Sequence, residues 1–429
     1  MQNSVNKYLI YFSLFIILSN CSISKKEDIS KLKNKDILFK EIELINTEFN
    51  SDLKINIKKL TKGNPFLNNN TNNTGNINFD TEFKNKKTFK FKKINEFDFN
   101  QPELLFTQDN HIIFFDEKGS IFKINNKMNE KWKVNHYSKK EKKLNPILYF
   151  ALKDNQLIVA DTLSKIYSLD INSGALLWSK TSKSPFNSNI KTYKNKFMVV
   201  DYENVIRSFS INDGKEIWNF ATENSFIKSQ KKLSIIIKEE YLFFINNLGD
   251  ITALNINDGN LIWQTPTQSN IIYQNAFSLE NSDLVFAKNS IYFSNNRNEI
   301  FALDAQSGIV IWKQTISSSL RPVIIDNLVF SVSENGYILA IELNTGNIIR
   351  ATNIFKNIKN KKNQIKPTGF IIAKSKAYIS LNNGKLIKVN IIDGSIENIF
   401  KLAGSKILGP YVNNKNIYLL NENTIIQFN

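Results

Sequence analysis

The feature that most constrains the fold is a unit of about 15 residues that recurs along the chain. Residues 300–314, IFALDAQSGIVIWKQ, are the best-preserved copy: a strand, a tight turn containing Gly308 and a second strand containing Trp312. The turn glycine recurs every 38 to 49 residues, at positions 174, 214, 259, 308, 346 and 394. This period, with several short strands in each unit, is typical of the blades of a β-propeller.

The number of units predicts how the ring closes. Seven units have their last strand near positions 132, 178, 218, 263, 312, 350 and 398, and residues 405–429 contain three further strand patterns. The alternating segment KKTFKFKKI, at residues 86–94, has no unit of its own. We therefore predict an all-β, eight-bladed propeller over residues 86–429, closed by pairing of this N-terminal strand with the C-terminal blade. Such closure removes exposed sheet edges.

The repeated tryptophans are predicted to be structural. Five units carry a Trp on their last strand, namely Trp132, Trp178, Trp218, Trp263 and Trp312. A buried Trp removes on the order of 150 to 250 Å² from water, which suits a wedge between stacked sheets. The turn glycine supplies a positive φ. The repeat is therefore a building unit, and we expect function to lie in the less regular loops between copies.

The N-terminus predicts export. Lys7 precedes an apolar run over residues 8–18, which is too short for a transmembrane helix of about 20 residues and is typical of a signal peptide, here residues 1–20. Cys21, the only cysteine, follows directly and resembles the lipidated cysteine of a bacterial lipoprotein. The alternative is a cysteine that happens to end an ordinary secretory signal. Ser22, rather than Asp, resembles lipoproteins sent to the outer membrane.

Residues 21–85 are predicted to be a flexible Asn- and Lys-rich tether. Residues 68–80, NNNTNNTGNINFD, form a low-complexity tract with too little apolar surface to offset the entropy of ordering. A single cysteine also excludes an internal disulfide, so we expect the exported fold to be stabilised by packing alone.

Charge and composition argue against several functions. The net charge of +17 comes from 56 basic and 39 acidic residues, but only four residues are arginine, so we predict no nucleic-acid partner. The two histidines, His111 and His136, have no neighbouring ligands that would make a zinc set. We predict no catalytic residue, no bound metal and no cofactor, and therefore no enzyme.

The pattern ALDAQSGIVIW resembles the repeat of pyrroloquinoline-quinone-type propellers over residues 86–429. Together with the lipoprotein-like cysteine, the Asn-rich tether and eight blades, it is similar to the BamB family of the outer-membrane β-barrel assembly machinery. The resemblance implies a non-catalytic lipoprotein scaffold on the periplasmic face of the outer membrane. It would be one monomer within a hetero-complex and would bind a BamA-like barrel protein beside other subunits.

The resemblance also implies where the partner binds. In the family, loops of adjacent middle blades contact BamA, and by blade position they match SFIKSQ (225–230) and SLENSDL (278–284). Ile227 and Lys228 would supply an apolar and basic pair, and Glu280 and Asp283 an acidic pair. Two other functions stay open: a quinone-dependent dehydrogenase-like propeller, and an exported propeller that binds another protein or a polysaccharide.

Overall fold

The chain folds into eight four-stranded antiparallel sheets that form the blades of a ring. The computed structural model describes residues 47–57, 83–95, 97, 102–224, 228–229, 231–267, 279–358 and 365–429. Within these ranges, the strands of the first seven blades follow the chain from the innermost to the outermost strand. The predicted all-β, eight-bladed propeller is confirmed.

The first four blades occupy residues 105–265. Blade 1 contains β2 (Leu105–Phe106), β3 (Ile112–Phe115), β4 (Ile121–Ile124) and β5 (Glu130–Val134), followed by a 3₁₀ turn (Glu141–Leu144). Blade 2 contains β6 (Leu148–Lys153), β7 (Gln156–Asp161), β8 (Lys165–Asp170) and β9 (Leu176–Thr181). Blade 3 contains β10 (Lys191–Tyr193), β11 (Lys196–Val200), β12 (Val205–Ser210) and β13 (Glu216–Ala221). Blade 4 contains β14 (Ile235–Lys238), β15 (Tyr241–Ile245), β16 (Ile251–Asn255) and β17 (Leu261–Thr265).

The remaining blades occupy residues 285–428 together with one N-terminal strand. Blade 5 contains β18 (Val285–Ala287), β19 (Ser290–Asn295), β20 (Glu299–Asp304) and β21 (Val310–Gln314). Blade 6 contains β22 (Val323–Ile325), β23 (Leu328–Val332), β24 (Tyr337–Glu342) and β25 (Ile348–Asn353). Blade 7 contains β26 (Pro367–Ala373), β27 (Lys376–Leu381), β28 (Lys385–Asn390) and β29 (Ile396–Lys401). Blade 8 contains β30 (Leu408–Asn413), β31 (Asn416–Asn421), β32 (Thr424–Phe428) and β1 (Lys87–Lys90).

The ring closes through the N-terminal strand, as predicted. β1 pairs antiparallel with β32, with Lys87 opposite Gln427 and Lys90 opposite Thr424, and is the outermost strand of blade 8. The closure is also apolar, because Phe89 on β1 lies 5.8 Å from the Phe114 ring of blade 1 in an edge-to-face contact. β1 and the three C-terminal strands thus form one sheet that packs against the first blade.

Four of the five repeat tryptophans hydrogen-bond to the next blade. Trp312 on the outermost strand of blade 5 donates its indole N–H to the carbonyl of Leu343 in blade 6, at 2.9 Å. Trp132, Trp178 and Trp263 make the same bond to the following blade, at 3.1, 2.8 and 3.0 Å. The Trp218 indole is buried with no hydrogen-bond acceptor among the described residues. In blades 1, 2, 4 and 5 the outermost strand is therefore joined to the next blade by a side chain as well as by the connecting loop.

The turn glycine meets the Trp of the preceding blade, a contact that the turn geometry alone does not predict. Gly308 has φ of +73°, and a Cβ on it would lie 2.5 Å from the Trp263 ring. Gly214 has φ of +66° and stands in the same relation to Trp178. A side chain at these positions would meet both a strained backbone and an occupied space. The repeat thus supplies a Trp in one blade and, in the next blade, the glycine against which that Trp packs.

Arg350 occupies the tryptophan position of blade 6 and takes over its bonds. The guanidinium is almost fully buried and donates from Nη2 to the Ile391 carbonyl at 2.5 Å and from Nη1 to the Ile392 carbonyl at 2.7 Å. These acceptors lie on the turn of blade 7 that corresponds to the Leu343 turn of blade 6. Arg350 also donates from Nη1 to the carbonyl of Leu53, at 2.9 Å.

Residues 47–57, here called the clamp segment, lie along the outer edge of blade 6. The amide of Phe49 donates to the Ala351 carbonyl at 3.1 Å, and the amide of Ala351 donates back at 3.0 Å. Ile55 is buried and donates its amide to the Ile392 carbonyl at 2.8 Å. This segment falls within residues 21–85, the range predicted to be a flexible tether. Most of the rest of that range lies outside the described residues, where the tether remains a prediction.

Candidate protein-docking face

Each blade presents its turns on two opposite faces of the propeller. In an up-and-down antiparallel sheet, the connection that enters a blade and the turn between its second and third strands lie at one end, here called the connection face. The other two turns lie at the opposite end, here called the hairpin face. In blade 4 the connection face carries residues 228–234 and 246–250, and the hairpin face carries residues 239–240 and 256–260.

Lys228 lies on the connection face between blades 3 and 4. Its ammonium donates to the side-chain carbonyl of Asn224 and lies 3.7 Å from a Glu203 carboxylate oxygen on the neighbouring turn of blade 3. The following residue, Ser229, donates its amide to Asn247 Oδ1 at 2.9 Å, which fixes the backbone. Ile227, the predicted apolar partner of Lys228, lies outside the described residues.

Glu280 lies on the next connection, between blades 4 and 5. Its amide donates to Asn296 Oδ1 at 2.9 Å, and its carbonyl accepts from the Asn296 amide at 3.1 Å. The backbone is therefore fixed to the blade 5 turn while the residue is exposed. An exposed carboxylate on a fixed backbone is well suited to a polar contact with another protein.

The two predicted segments are direct neighbours. Ser229 donates its hydroxyl to the carbonyl of Leu279 at 2.9 Å, so residues adjacent to Lys228 and Glu280 are hydrogen-bonded to each other. Two loops that are 50 residues apart in sequence thus form one patch on the connection face. The sequence could place each loop on a blade, but the bond between them depends on the stacking of blades 4 and 5.

Asp283 lies next to this patch, just before the innermost strand of blade 5, and Lys231 interacts electrostatically with both Asp283 and Glu280. Asp283 precedes β18 and is half-buried among Lys231, Lys232 and Arg321. Lys232 Nζ lies 2.5 Å from Glu103 Oε1, which joins blade 4 to blade 1 across the ring. Lys231 donates to the carbonyl of Ser319, in the connection to blade 6. The two members of the predicted acidic pair therefore differ in exposure, with Glu280 exposed and Asp283 half-buried, and both act on Lys231.

The charges in this network influence one another strongly. Burial alone would raise the pKa of Asp283, but the positive charges of Lys232 and Lys231 outweigh it, and the pKa lies below its usual value. Burial, aided by Arg321, lowers the pKa of Lys191 on β10 to about 8. The carboxylates of Asp283 and Glu103 outweigh the burial of Lys232 and raise its pKa. The network therefore favours an ionised Asp283 and a charged Lys232.

The members of this network share a position in the repeat, although the periodicity of the sequence does not reveal them. They lie at the start of an innermost strand or within four residues before it, namely Glu103, Lys191, Lys231, Lys232, Asp283 and Arg321. Isolated charges at these positions resemble ordinary loop residues. They become one group only because the ring brings eight innermost strands around a single axis.

A second unpredicted feature is an apolar rim on blades 2 to 5. Their outermost strands and the turn before β21 expose eight large aliphatic side chains, namely Leu176, Leu177, Ile217, Leu261, Ile262, Ile309, Val310 and Ile311. All of them precede the Trp of their repeat, so the sequence signal is the aliphatic run before each Trp. Exposed large aliphatic side chains are typical of interaction sites when they form a contiguous surface.

The two histidines and the buried Asp161 lie close to neighbouring polar or aromatic groups. His111 Nδ1 lies 2.6 Å from an Asp109 carboxylate oxygen, and the His136 ring lies 5.9 Å from the Tyr167 ring. Tyr137 donates its hydroxyl to the fully buried Asp161 at 2.5 Å. Within the described ranges, no cluster of three or more His, Cys, Asp or Glu residues is placed to hold a metal ion.

The described part of the chain contains no helix with the length and hydropathy needed to cross a bilayer. Cys21, the predicted lipidation site, lies outside the described residues.

Comparison with known proteins agrees with the fold and the repeat. The family model described as the outer membrane protein assembly factor BamB matches residues 117–352, which is 236 of 429 residues and more than half of the chain. No curated protein matches by sequence.

Three solved structures share the architecture. BamB from Moraxella catarrhalis aligns with a TM-score of 0.63 and 15% identity, over 80% of this chain and 99% of that one. The computationally designed protein Ika8 aligns at 0.60 and 14%, over 79% and 98%. Quinohemoprotein alcohol dehydrogenase from Comamonas testosteroni aligns at 0.57 and 10%, over 80% and 75%. At these identities the likeness establishes the fold alone.

Proposed function

We propose, from the premise that this chain belongs to the family of the outer membrane protein assembly factor BamB, that it is a non-catalytic scaffold of outer-membrane protein assembly. In this role it docks on the periplasmic domains of a BamA-like barrel protein and acts beside other subunits of the same complex. The observation that carries the proposal, beyond the family itself, is the bond between Ser229 and Leu279, which unites the two loops into one surface.

The composition of the patch supports protein docking. Lys228 and Glu280 bring opposite charges onto backbones that are fixed by neighbouring turns. Complementary charges at an interface set its orientation and specificity more than its affinity. We infer that the partner presents an acidic group toward Lys228 and a basic group toward Glu280.

Capture of the partner tests this role. A chain carrying Lys228→Glu and Glu280→Lys should retain less of the barrel protein in a pull-down from detergent-solubilised envelope than the parent chain. Lys238→Glu with Glu240→Lys is the matched control, because both residues are exposed at the hairpin face of blade 4. Full capture by the first variant, or equal loss in both, would contradict docking through this patch.

We also propose that the protein is anchored in the outer membrane, at its periplasmic face, by lipid on Cys21. The support is the sequence around Cys21 and the family. Cys21→Ser should release the chain from the membrane fraction into the soluble periplasm, and mass spectrometry of the parent should show the added acyl mass. An unmodified Cys21 in the parent chain would contradict this part of the proposal.

A second candidate function is a quinone-dependent dehydrogenase, favoured only by the structural likeness to the Comamonas enzyme. The two candidates are separated by titration with pyrroloquinoline quinone and Ca²⁺. A new visible absorption band with saturable binding would support the enzyme. A flat titration, together with capture of the barrel protein, would support the scaffold.

A further inference from the structure

The clamp segment enters the propeller at the connection face of blade 6. Glu48 accepts a hydrogen bond from the amide of Asn353 at 3.1 Å, and its carboxylate lies 3.4 Å from the ammonium of Lys356. Both partners are at the end of β25 and the start of the connection to blade 7. Residue 47, the first described residue, therefore lies at this end of blade 6.

From Glu48 the segment runs along β25 toward the hairpin face. Phe49 and Ala351 exchange both backbone hydrogen bonds, as directly opposed residues of an antiparallel pair do. Asn50 adds a side-chain bond to the Ile349 carbonyl at 3.2 Å. At the hairpin face, Ile55 is buried in the apolar cluster between blades 6 and 7, near Ile338 and Ile391. The contact thus combines backbone pairing, a buried anchor and an ion pair.

Arg350 has enough N–H donors to bind both blade 7 and the clamp segment, which a tryptophan at the same position would lack. A tryptophan in the same position has a single N–H donor, which in blades 1, 2, 4 and 5 is used by the next blade. The guanidinium has five N–H donors. Arg350 can therefore satisfy the Ile391 and Ile392 carbonyls and still donate to the Leu53 carbonyl. In the described part of the chain, blade 6 is the one blade whose tryptophan position holds an arginine and whose outer edge carries the clamp segment.

We propose that the clamp segment fixes the point at which the N-terminal chain leaves the propeller, with Arg350 as the positioning residue. An anchor at Cys21 then holds blade 6 nearer to the membrane than blade 2 on the opposite side of the ring. The membrane consequence rests on the proposed function through the anchor, whereas the clamp itself does not. The predicted docking patch on blades 4 and 5 lies on the same connection face from which the anchored chain departs.

The clamp also limits the distance between anchor and propeller. Cys21 and residue 47 are 47 − 21 = 26 residues apart, and Cys21 and Phe83, the first described residue beside β1, are 83 − 21 = 62 residues apart. An extended chain spans at most about 3.5 Å per residue. The greatest reach is therefore about 90 Å with the clamp seated and about 220 Å without it.

Energy transfer from the propeller to a bilayer tests the proposal without relying on lipidation in the cell. The mature chain from Cys21 is coupled through the Cys21 thiol to a maleimide lipid in phosphatidylethanolamine and phosphatidylglycerol vesicles that contain acceptor-labelled headgroups. A donor dye is attached to an azido amino acid at position 335, on the connection face of blade 6, or at position 183, between blades 2 and 3. We expect greater transfer from position 335 than from position 183.

Two variants separate the clamp from general damage to the fold. Arg350→Trp keeps a donor for blade 7 and removes the donor for Leu53, and Ile55→Ser acts on the clamp side and leaves every blade residue in place. Both should abolish the difference between the two positions while circular dichroism stays that of the parent.

Two results would overturn the proposal: equal transfer from both positions in the parent chain, or an unchanged difference in both variants. Since Cys21 is coupled chemically, neither outcome depends on natural lipidation or on a barrel partner. Failure of the proposed function is thereby distinguished from failure of the clamp.

Discussion

The outermost strands of the blades differ in whether another described segment pairs with them. Blades 2 to 5 end in a strand whose Trp is directed into the ring and whose preceding aliphatic residues are exposed, as at Ile262 and Ile311. Blade 6 ends in β25, whose edge is paired at Ala351 and whose tryptophan position holds the buried Arg350. One residue change in the repeat thus accompanies a change from an open edge to a covered one.

The edge of one blade can therefore be paired by another segment while its fold stays that of the other blades. An unpaired strand edge presents free N–H and C=O groups and invites pairing with another chain. On blade 6 the clamp segment supplies that pairing at Ala351, whereas no described residue pairs with the outer edge of the outermost strand in blades 2 to 5. We expect the following substitutions to separate the two kinds of edge.

The largest effect is expected from removing a tryptophan at an open edge. Trp312→Ala should lower the free energy of unfolding by about 3 to 5 kcal/mol, because it empties the space against Gly346 and removes the bond to Leu343. Urea denaturation followed by circular dichroism measures this loss. Trp312→Phe, which keeps most of the apolar area, is the matched control and should cost less. A loss below about 1 kcal/mol for the alanine variant would contradict the wedge role.

A smaller loss is expected at the covered edge. Arg350→Ala should cost about 2 to 4 kcal/mol, because the carbonyls of Leu53, Ile391 and Ile392 lose their charged donor. Arg350→Trp should recover part of this loss by restoring a donor to blade 7. Urea midpoints of the two variants test the order. A tryptophan variant less stable than the alanine variant would show that Arg350 does not replace the repeat residue.

Aliphatic residues on the two edges should respond differently to substitution. Ile55→Ser, at the covered edge, should cost about 1.5 to 3 kcal/mol because Ile55 is buried. Ile311→Ser, at the open rim, should change stability by no more than about 0.5 kcal/mol because its side chain is already 48% exposed. Thermal or urea unfolding of the two variants provides the comparison. Equal losses would mean that the rim is covered in solution.

The smallest effect concerns Lys191, on the innermost strand of blade 3, where burial lowers the pKa of the side chain. Lys191 should titrate at about 8, below its usual 10.5. Between these pH values the unfolded chain binds more protons than the folded chain, so this residue makes stability rise with pH. NMR of ¹³C-methylated lysines, with Lys191→Arg to assign the signal, measures the pKa. A value of 10 or above would place Lys191 in contact with bulk water.

Much of the fold could be predicted from the sequence because the repeat carries its own geometry. The period of the turn glycines gave the blades, and the unassigned strand before residue 94 gave the closure that β1 and β32 show. The predicted strand–turn–strand unit of residues 300–314 corresponds to β20 and β21 of blade 5.

The site was less predictable because its contacts join residues far apart in the chain. Lys228 and Glu280 could be placed on loops by blade position, but the bond from Ser229 to Leu279 depends on three-dimensional stacking. The charge network around Asp283 depends on the ring, which brings Lys232 and Arg321 beside it. Arg350 was visible as a departure from the repeat, yet its bond to Leu53 spans 297 residues. No local pattern encodes such a contact.

Hydrogen exchange of the mature chain, measured by mass spectrometry at peptide resolution, tests the contrast between edges most directly. We predict slow exchange for peptides containing the amides of Phe49, Ile55 and Ala351, and faster exchange in β21, whose outer edge pairs with no described residue. In Arg350→Trp, exchange should increase in the clamp segment and stay unchanged in β21. Fast exchange throughout residues 47–57 in the parent chain, at the rate of an unfolded peptide, would contradict the pairing of the clamp segment with blade 6.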